Sequence, residues 1–594
     1  MTHSFHIPVL GLAFSIDSPL KVARFGISSV ISIVDDELIE RIRAYYCNSY
    51  HKEYLPITKA DQNYRSLRIT SYLNLVSQAV KEQIDHMRTE IFEPGSAIDR
   101  YFQLIPESHP AKNCYYNMLL ETNYVEKAKK KQSLRSFIQA GDIDVNIMSK
   151  VDKINHDKNG NPLDEKWSDA LAALQGFANS ELKSSVILSA GMNPRLYSYL
   201  AELPSFWQNE DGTFDKKLTL KVSDYRSALI QAKFLAKKGI WVSEIRVESG
   251  LNCGGHAFAT DGFLLGPILC EFKNKKLILQ QELFAIYQQY WTQRNRHFAD
   301  APPIKYTVQG GVGTASEHQF LLKHYEFDAV GWGSPFLLVP EATTVDDETL
   351  TALTTSVADD FYISGASPLG VPFNNFRKST AERLRKKRIK EGRPGSPCKK
   401  KYLVSNVDYG PEPICTASRL YQDKKIKELK AKKLDQVTYE QEFALITEKT
   451  CLCDGLAAPA YLKYNILKPK EQDAVSICPG PNTVWFKQKF SLDQMINHIY
   501  GKDDLIKNEN RPFFFISELE LYVAHIKKYV ELNSFSVDDK KIKYLDKFKN
   551  QLIDGITYYR NLTHDLKDFS QQIINSIPQQ LENAETELAE IKFQ

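Results

Sequence analysis

Eight short apolar runs, spaced along the chain, constrain what it can fold into more than any other feature of its sequence. They are Ile7 to Phe14, Ser28 to Val34, Ile143 to Met148, Ser184 to Ser189, Leu218 to Val222, Ile240 to Val247, Ile304 to Gln309 and Phe327 to Gly331. Most are rich in Val and Ile and do not alternate with polar residues, the pattern of strands buried on both faces. Helical patterns such as Ser223 to Lys238 and Ser316 to Tyr325 separate them, so the chain reads as repeated strand-helix units around a parallel sheet. Eight units fit a closed (β/α)₈ TIM barrel better than the alternative, an open doubly wound sheet carrying extra strands.

Two interruptions break this rhythm. Residues 36 to 140 are polar and helical and read as a large insertion after the second strand, and residues 275 to 300 read as a helix covering one side of the barrel. Beyond Arg377 a basic run, Arg383-Leu-Arg-Lys-Lys-Arg-Ile-Lys390, leads into Gly392-Arg-Pro-Gly-Ser-Pro397, the composition of a boundary. A solvated helix face is the default reading of that run; contact with RNA or an acidic carrier protein is the alternative. The expected organisation is a barrel over 1–395 with its insertion at 36–140, a cysteine-bearing region over 396–486, and a helical region over 487–594. More than one unit is expected, because single cores stop growing at roughly 250–300 residues.

Hydrophobic and charged contents of 43% and 25% are globular values, and a formal net charge of +3 is too small to argue for nucleic acid. Nine cysteines in 594 residues do not resemble a secreted disulfide scaffold. No basic region leads into a signal-peptide core, and the run Ile7 to Phe14 falls far short of the roughly 20 residues a bilayer span needs. These features predict a protein of the reducing cytoplasm, not bound to membrane. The tail segments Tyr544 to Tyr558 and Leu562 to Ile577 have apolar spacing suited to packing on the barrel or on a partner chain.

Three glycine-rich segments follow apolar runs and so sit where buried strands end. They are Glu248-Ser-Gly-Leu-Asn-Cys-Gly-Gly-His256, Gln309-Gly-Gly-Val-Gly-Thr314 and Gly331-Trp-Gly-Ser-Pro335. Glycines let backbone N–H groups approach an anion closely, and the loops after strands seven and eight of a barrel commonly bind phosphate. Gly310, Gly311, Gly313, Gly333 and Ser334 are therefore the expected phosphate cradle.

The order strand, Gly-Gly-His, strand, Gly-Gly-Val-Gly, strand, Gly-x-Gly-Ser-x-Phe-Leu is similar to that of the FMN-dependent barrel family of nitronate monooxygenases and the related flavin enoyl-acyl-carrier-protein reductases. Asp144-Val-Asn-Ile-Met148 resembles the family's third-strand motif, and Ser367-Pro-Leu-Gly-Val-Pro-Phe-Asn-Asn-Phe-Arg377 resembles its segment after the barrel. Cys398 and Pro413-Ile-Cys-Thr-Ala417 are similar to the cysteine-containing tail of some bacterial members. The matching segments span about residues 7 to 420.

The resemblance implies an FMN oxidoreductase acting on a carbanion-forming small molecule or an activated alkene such as an enoyl thioester. It implies that Asn146, Lys221, Gly254 and Gly255 contact the flavin, and that His256 acts on substrate as base or hydrogen-bond donor. The chain departs from the pattern in one place: Leu251-Asn-Cys253 is inserted between the Glu-Ser-Gly and Gly-Gly-His that relatives join directly. Two other readings stay open. The extension is a module for RNA or an acyl carrier on a catalytically weak flavoprotein, or the barrel is a flavin-free lyase with Lys221 as Schiff-base lysine.

Five of the cysteines, Cys398, Cys415, Cys451, Cys453 and Cys478, gather beyond the barrel in turn-rich contexts. Thiolates converging there would hold an iron–sulfur cluster or zinc, and a cluster would pass electrons to the flavin.

Overall fold

The computed structural model describes residues 2–149, 151–156, 160–189, 191–254, 262–506, 510–533 and 539–591. Eight parallel strands close into a barrel in chain order: β1 (Phe5–Ile7), β2 (Ser28–Ser32), β3 (Ile143–Ile147), β4 (Ser185–Leu188), β5 (Lys217–Val222), β6 (Glu244–Glu248), β7 (Lys305–Gln309) and β8 (Ala329–Gly331). β1 pairs with both β2 and β8, which closes the ring. Each of the eight expected runs overlaps a strand, but the first does so only at Ile7, where β1 ends. Pro8 follows Ile7 directly and has no N–H to give the ladder, so the rest of that run leaves the sheet as a buried loop.

The barrel interior is more polar than the Val, Ile and Leu layers usual for this fold. Arg246 on β6 lies 3.6 Å from Asp144 on β3, and because these strands are not neighbours the contact crosses the interior. Arg246 also pairs with Glu244 at 2.7 Å, and Thr307 on β7 donates to the same carboxylate at 2.5 Å. Burial acts to raise the Glu244 carboxyl, but Arg246 and Lys305 outweigh it and hold it down at about 2.

Helices Asp36–Ser49, Tyr64–Thr89, Ala97–Leu104, Pro110–Leu119 and Tyr124–Ser136 lie between β2 and β3, so the insertion is helical. Two aspartates just beyond β2 tie it, and the later extension, to the barrel. Asp36 binds Arg65 at 2.6 Å and Arg68 at 2.8 Å on the long insertion helix. Asp35 caps the helix Asp36–Ser49 through the N–H groups of Glu37 and Leu38 and pairs with Lys400 of the extension. The Tyr402 hydroxyl donates to both carboxylates, at 3.1 Å and 3.2 Å.

Beyond β8 the chain forms an antiparallel pair, β9 (Phe361–Ser364) and β10 (Phe373–Phe376), then the basic helix Thr380–Lys390. The helices Arg419–Ala431 and Gln436–Thr447 follow, and loops with the short helices Leu452–Gly455 and Ala458–Lys463 then cross the barrel mouth. Three long helices, Phe514–Asn533, Asp539–Leu562 and Gln571–Glu590, pack on one another, and the first two also pack on the helix Leu265–Thr292 that flanks the barrel. Leu545, Phe548, Leu552, Ile556 and Tyr559 form the buried stripe of the second, at helical spacing. One hydrophobic core runs from Phe5 to Ile591. No helix among the described residues is long and apolar enough to cross a membrane.

The Asp35 and Lys400 side chains are 1% and 8% exposed, so removing one partner strands a buried charge. Lys400→Ala is expected to cost about 3–5 kcal/mol in denaturant unfolding. The double replacement Asp35→Asn with Lys400→Met, which keeps the helix cap without either charge, should recover most of that loss.

Candidate functional site

At the C-terminal mouth of the barrel lies a cavity of about 180 Å³. Its floor is polar: Ser32 from β2, Asn146 from β3, Lys221 from β5 and Glu248 from β6. Alternate strand residues face inward, which is why Asn146 stands above Asp144 and Glu248 above Arg246. Lys221 Nζ sits 3.2 Å from Glu248 Oε1, and that oxygen also accepts from Gln309 at 2.9 Å and from Asn252. Asn146 Oδ1 is buried and has no hydrogen-bond partner among the described residues. Above this floor the walls are apolar, and the roof comes from the extension: Leu369, Phe373, Tyr402, Leu403, Leu452 and Cys453 among others. The mouth is therefore covered by a part of the chain whose sequence has no strand or helix periodicity to announce it.

Of the three glycine segments, the one after β6 lines the cavity through Glu248 and Gly254, whereas those after β7 and β8 do not. Neither Gly310 to Thr314 nor Gly331 to Leu338 contributes a lining residue. Gly311 has φ +82°, and a Cβ there would meet Leu251 Cδ1 at 2.5 Å; a Cβ on Gly333 would meet Cys253 Cβ at 3.0 Å. The inserted Leu251-Asn-Cys253 thus fills the space between the two loops. A Cβ on Gly313 would lie 2.8 Å from the Arg511 guanidinium, which reaches in from the extension.

The anion-binding end of the helix Ala315–Lys323 is filled as well. Gly313 N–H and Thr314 N–H donate to Glu317 Oε2 at 2.8 Å and 3.2 Å, while Glu317 Oε1 takes Arg511 Nη1 at 2.5 Å and Phe514 N–H at 3.1 Å. Arg511 also donates to the Gly311 carbonyl at 2.8 Å and to Asn482 Oδ1 at 3.2 Å, and Asn482 donates to the Val312 carbonyl at 2.9 Å. The Glu317 and Arg511 side chains are 2% and 6% exposed. A carboxylate, a guanidinium and a carboxamide of the chain itself occupy the cradle expected to hold phosphate.

Gly254 donates its N–H to the Cys478 carbonyl at 3.0 Å, which joins the β6 loop to the roof. Gly255 and His256 lie outside the described residues. The ends of the segment that carries them share one anchor. Glu518 Oε1 accepts from Gly250 N–H at 3.2 Å and Oε2 from Leu265 N–H at 2.7 Å. Burial pushes the Glu518 carboxyl up to about 7, although these N–H groups pull it down.

The expected metal centre is corrected. Among the described residues no group of three or more His, Cys, Asp or Glu side chains is arranged to hold a metal. Cys398 and Cys415 are bonded thiol to thiol, a contact that lowers the first and raises the second. Cys451 donates to Asp454 at 3.6 Å, while Cys453 and Cys478 pack in an apolar cluster with Leu403, Leu452 and Phe373. Burial holds Cys453 as a neutral thiol. Cys398, Cys415, Cys451 and Cys453 lie near enough to act on one another's thiols, but they form no metal-holding group among the described residues, and Cys478 stands beside Cys253.

Sequence reasoning missed Glu248, Glu317, Arg511 and Glu518. Thr314-x-x-Glu317 spells a capping box and could have placed Glu317 at the helix start. Arg511 and Glu518 act across hundreds of residues and leave no local signal.

No protein-family model and no curated protein matches the chain. Among solved structures it is similar to the enoyl reductase domain of MlnA from the macrolactin biosynthesis cluster of Bacillus amyloliquefaciens, at 14% identity and TM-score 0.33, over 74% of this chain and 90% of that one. It is similar to FabK from Thermotoga maritima at 12% identity and TM-score 0.30, over 69% and 85%. It is also similar to nitroalkane oxidase from Streptomyces ansochromogenes, at 11% identity and TM-score 0.24, over 58% and 86%. The assignment to the (β/α)₈ fold rests on the closed parallel barrel itself.

The Glu518 carboxyl moves from 4.5 in a solvated chain to about 7 here, so the folded state binds a proton more tightly than the unfolded state. The resulting stabilisation is complete below the unfolded value and is lost as pH rises through about 7. The urea midpoint of the wild type should therefore fall between about pH 5 and about pH 8 by more than that of Glu518→Gln. Parallel pH profiles for the two proteins would remove Glu518 as the titrating group.

Proposed function

We propose that the chain is a small-molecule oxidoreductase working in the roofed cavity at the barrel mouth, with a flavin as its redox group. The observation that carries this reading is the cavity floor, where the unpartnered Asn146 Oδ1 and the Lys221 ammonium face a slot with apolar walls. A flat heteroaromatic ring with polar edges suits such a slot. The phosphate end of an FMN in the expected cradle does not fit, because Leu251, Cys253, Glu317 and Arg511 fill it. A bound flavin supplies hydride or electron transfer, and the protein supplies binding, orientation and electrostatics.

The chain's own residues have definite parts in this reading. Glu248 is held by Gln309 and Asn252 as well as by Lys221, so the carboxylate stays fixed and holds Lys221 in place. A fixed ammonium in a site roofed from water stabilises negative charge developing on a bound ring or substrate. Asn146 orients the ligand by hydrogen bonding. The substrate class is an activated alkene, such as an enoyl thioester, or a carbanion-forming small molecule such as a nitronate. The Schiff-base reading of Lys221 has no support in the site, where its Nζ is engaged by Glu248 at 3.2 Å.

The test is the visible spectrum of the protein purified without oxygen, followed by fluorescence titration with flavins. Flavin binding is expected, and Lys221→Met should weaken it about tenfold or more, a loss of about 1.4 kcal/mol; the double change Lys221→Met with Glu248→Gln, which strands no charge, should show the same loss of binding with a melting temperature near that of the wild type. A protein that takes up no flavin in any form would sink the reading.

A further inference from the structure

We propose that this barrel holds its ligand by the ring subsite alone and excludes a phosphate from the glycine cradle, so that its cofactor class is a flavin whose 5′-phosphate contributes nothing to binding. The inference rests on the flavin reading above and deepens it. Three independent parts of the chain converge on the cradle. The first is charge: the start of the helix Ala315–Lys323 is an anion site by its backbone N–H groups, and the anion there is the carboxylate of Glu317 in the helix's own first turn. A phosphate entering would have to displace it from both N–H donors.

The second is counter-charge. Arg511 would be the natural partner of a bound phosphate, yet its donors are directed to Glu317, Gly311 and Asn482. The third is volume. Leu251 and Cys253 lie against Gly311 and Gly333, and a Cβ on Gly480 of the extension would stand 2.8 Å from Ser334 Oγ and 3.2 Å from the Leu251 carbonyl. The close approach that glycine permits is used by protein against protein. The cavity agrees, since its lining stops at β6 and the roof and includes nothing from the loops after β7 and β8.

The ring subsite carries the remaining recognition. Asn146 and Lys221 are on the cavity side of β3 and β5. A ligand seated there is recognised by its ring edge and by apolar contact with the roof.

The experiment titrates the full-length chain, freed of any bound chromophore, with lumiflavin, riboflavin and FMN, reading flavin fluorescence. The expected result is binding of riboflavin and FMN with dissociation constants within about threefold of each other, less than about 0.7 kcal/mol. Lys221→Met should weaken both to the same extent. FMN binding tenfold or more tighter than riboflavin would overturn the closed cradle while leaving the flavin reading intact. Failure of all three to bind would overturn the flavin reading, and the inference with it.

Discussion

The buried pair of Glu317 and Arg511 is the interaction on which the arrangement around the mouth depends. It joins the loop after β7, the start of the following helix and the first turn of the helix Phe514–Asn533 at one point. Buried ion pairs give little net stability, because desolvation offsets the attraction, but breaking one strands a charge. Their effect is to forbid alternatives. With Arg511 in place the extension has one way to sit on the barrel, and the roof over the cavity follows from that seating.

The same economy recurs around the rim. Asp35 and Asp36 gather the insertion and the extension at the end of β2, and Glu518 gathers both ends of the segment between Gly250 and Leu265. Each of these carboxylates accepts several bonds from parts of the chain far apart in sequence. The additions to the barrel are thus attached by a few buried acids as well as by apolar faces, and all of these acids lie on loops or helix starts near the mouth, where the barrel leaves backbone donors unsatisfied.

Much of the barrel was legible in the sequence because its physics is local. Buried parallel strands need continuous apolar runs, and Val- and Ile-rich runs between helical patterns mark them; even the early end of β1 follows from Pro8. Asn146 and Lys221, expected from the resemblance, stand on the cavity floor because their places on β3 and β5 turn them to the mouth. The glycine loops were located correctly, but their occupant was not, because a loop that accepts a phosphate and a loop that accepts Leu251 and Arg511 both need glycine. The roof was illegible. Its residues come from short elements and loops between Phe361 and Cys478, such as β10 and the one-turn helix Leu452–Gly455, which are too brief to show a periodicity of their own. The cysteines do gather, but their spacing in the sequence cannot tell a packed group of neutral thiols from one arranged to hold a metal.

The polar interior of the barrel has a consequence for how the ring closes. A barrel lined only with aliphatic side chains tolerates a strand sliding by two residues, since one branched side chain replaces another and the faces are unchanged. Here a slide of β6 would carry Arg246 away from Asp144 and Glu244 away from Thr307, leaving buried charges unmatched. The charged layer acts as a key that admits a single stagger. Because Glu248 rides on the same strand as Arg246, and Asn146 on the same strand as Asp144, the key cut in the floor of the barrel also sets the heights at which the groups of the mouth stand.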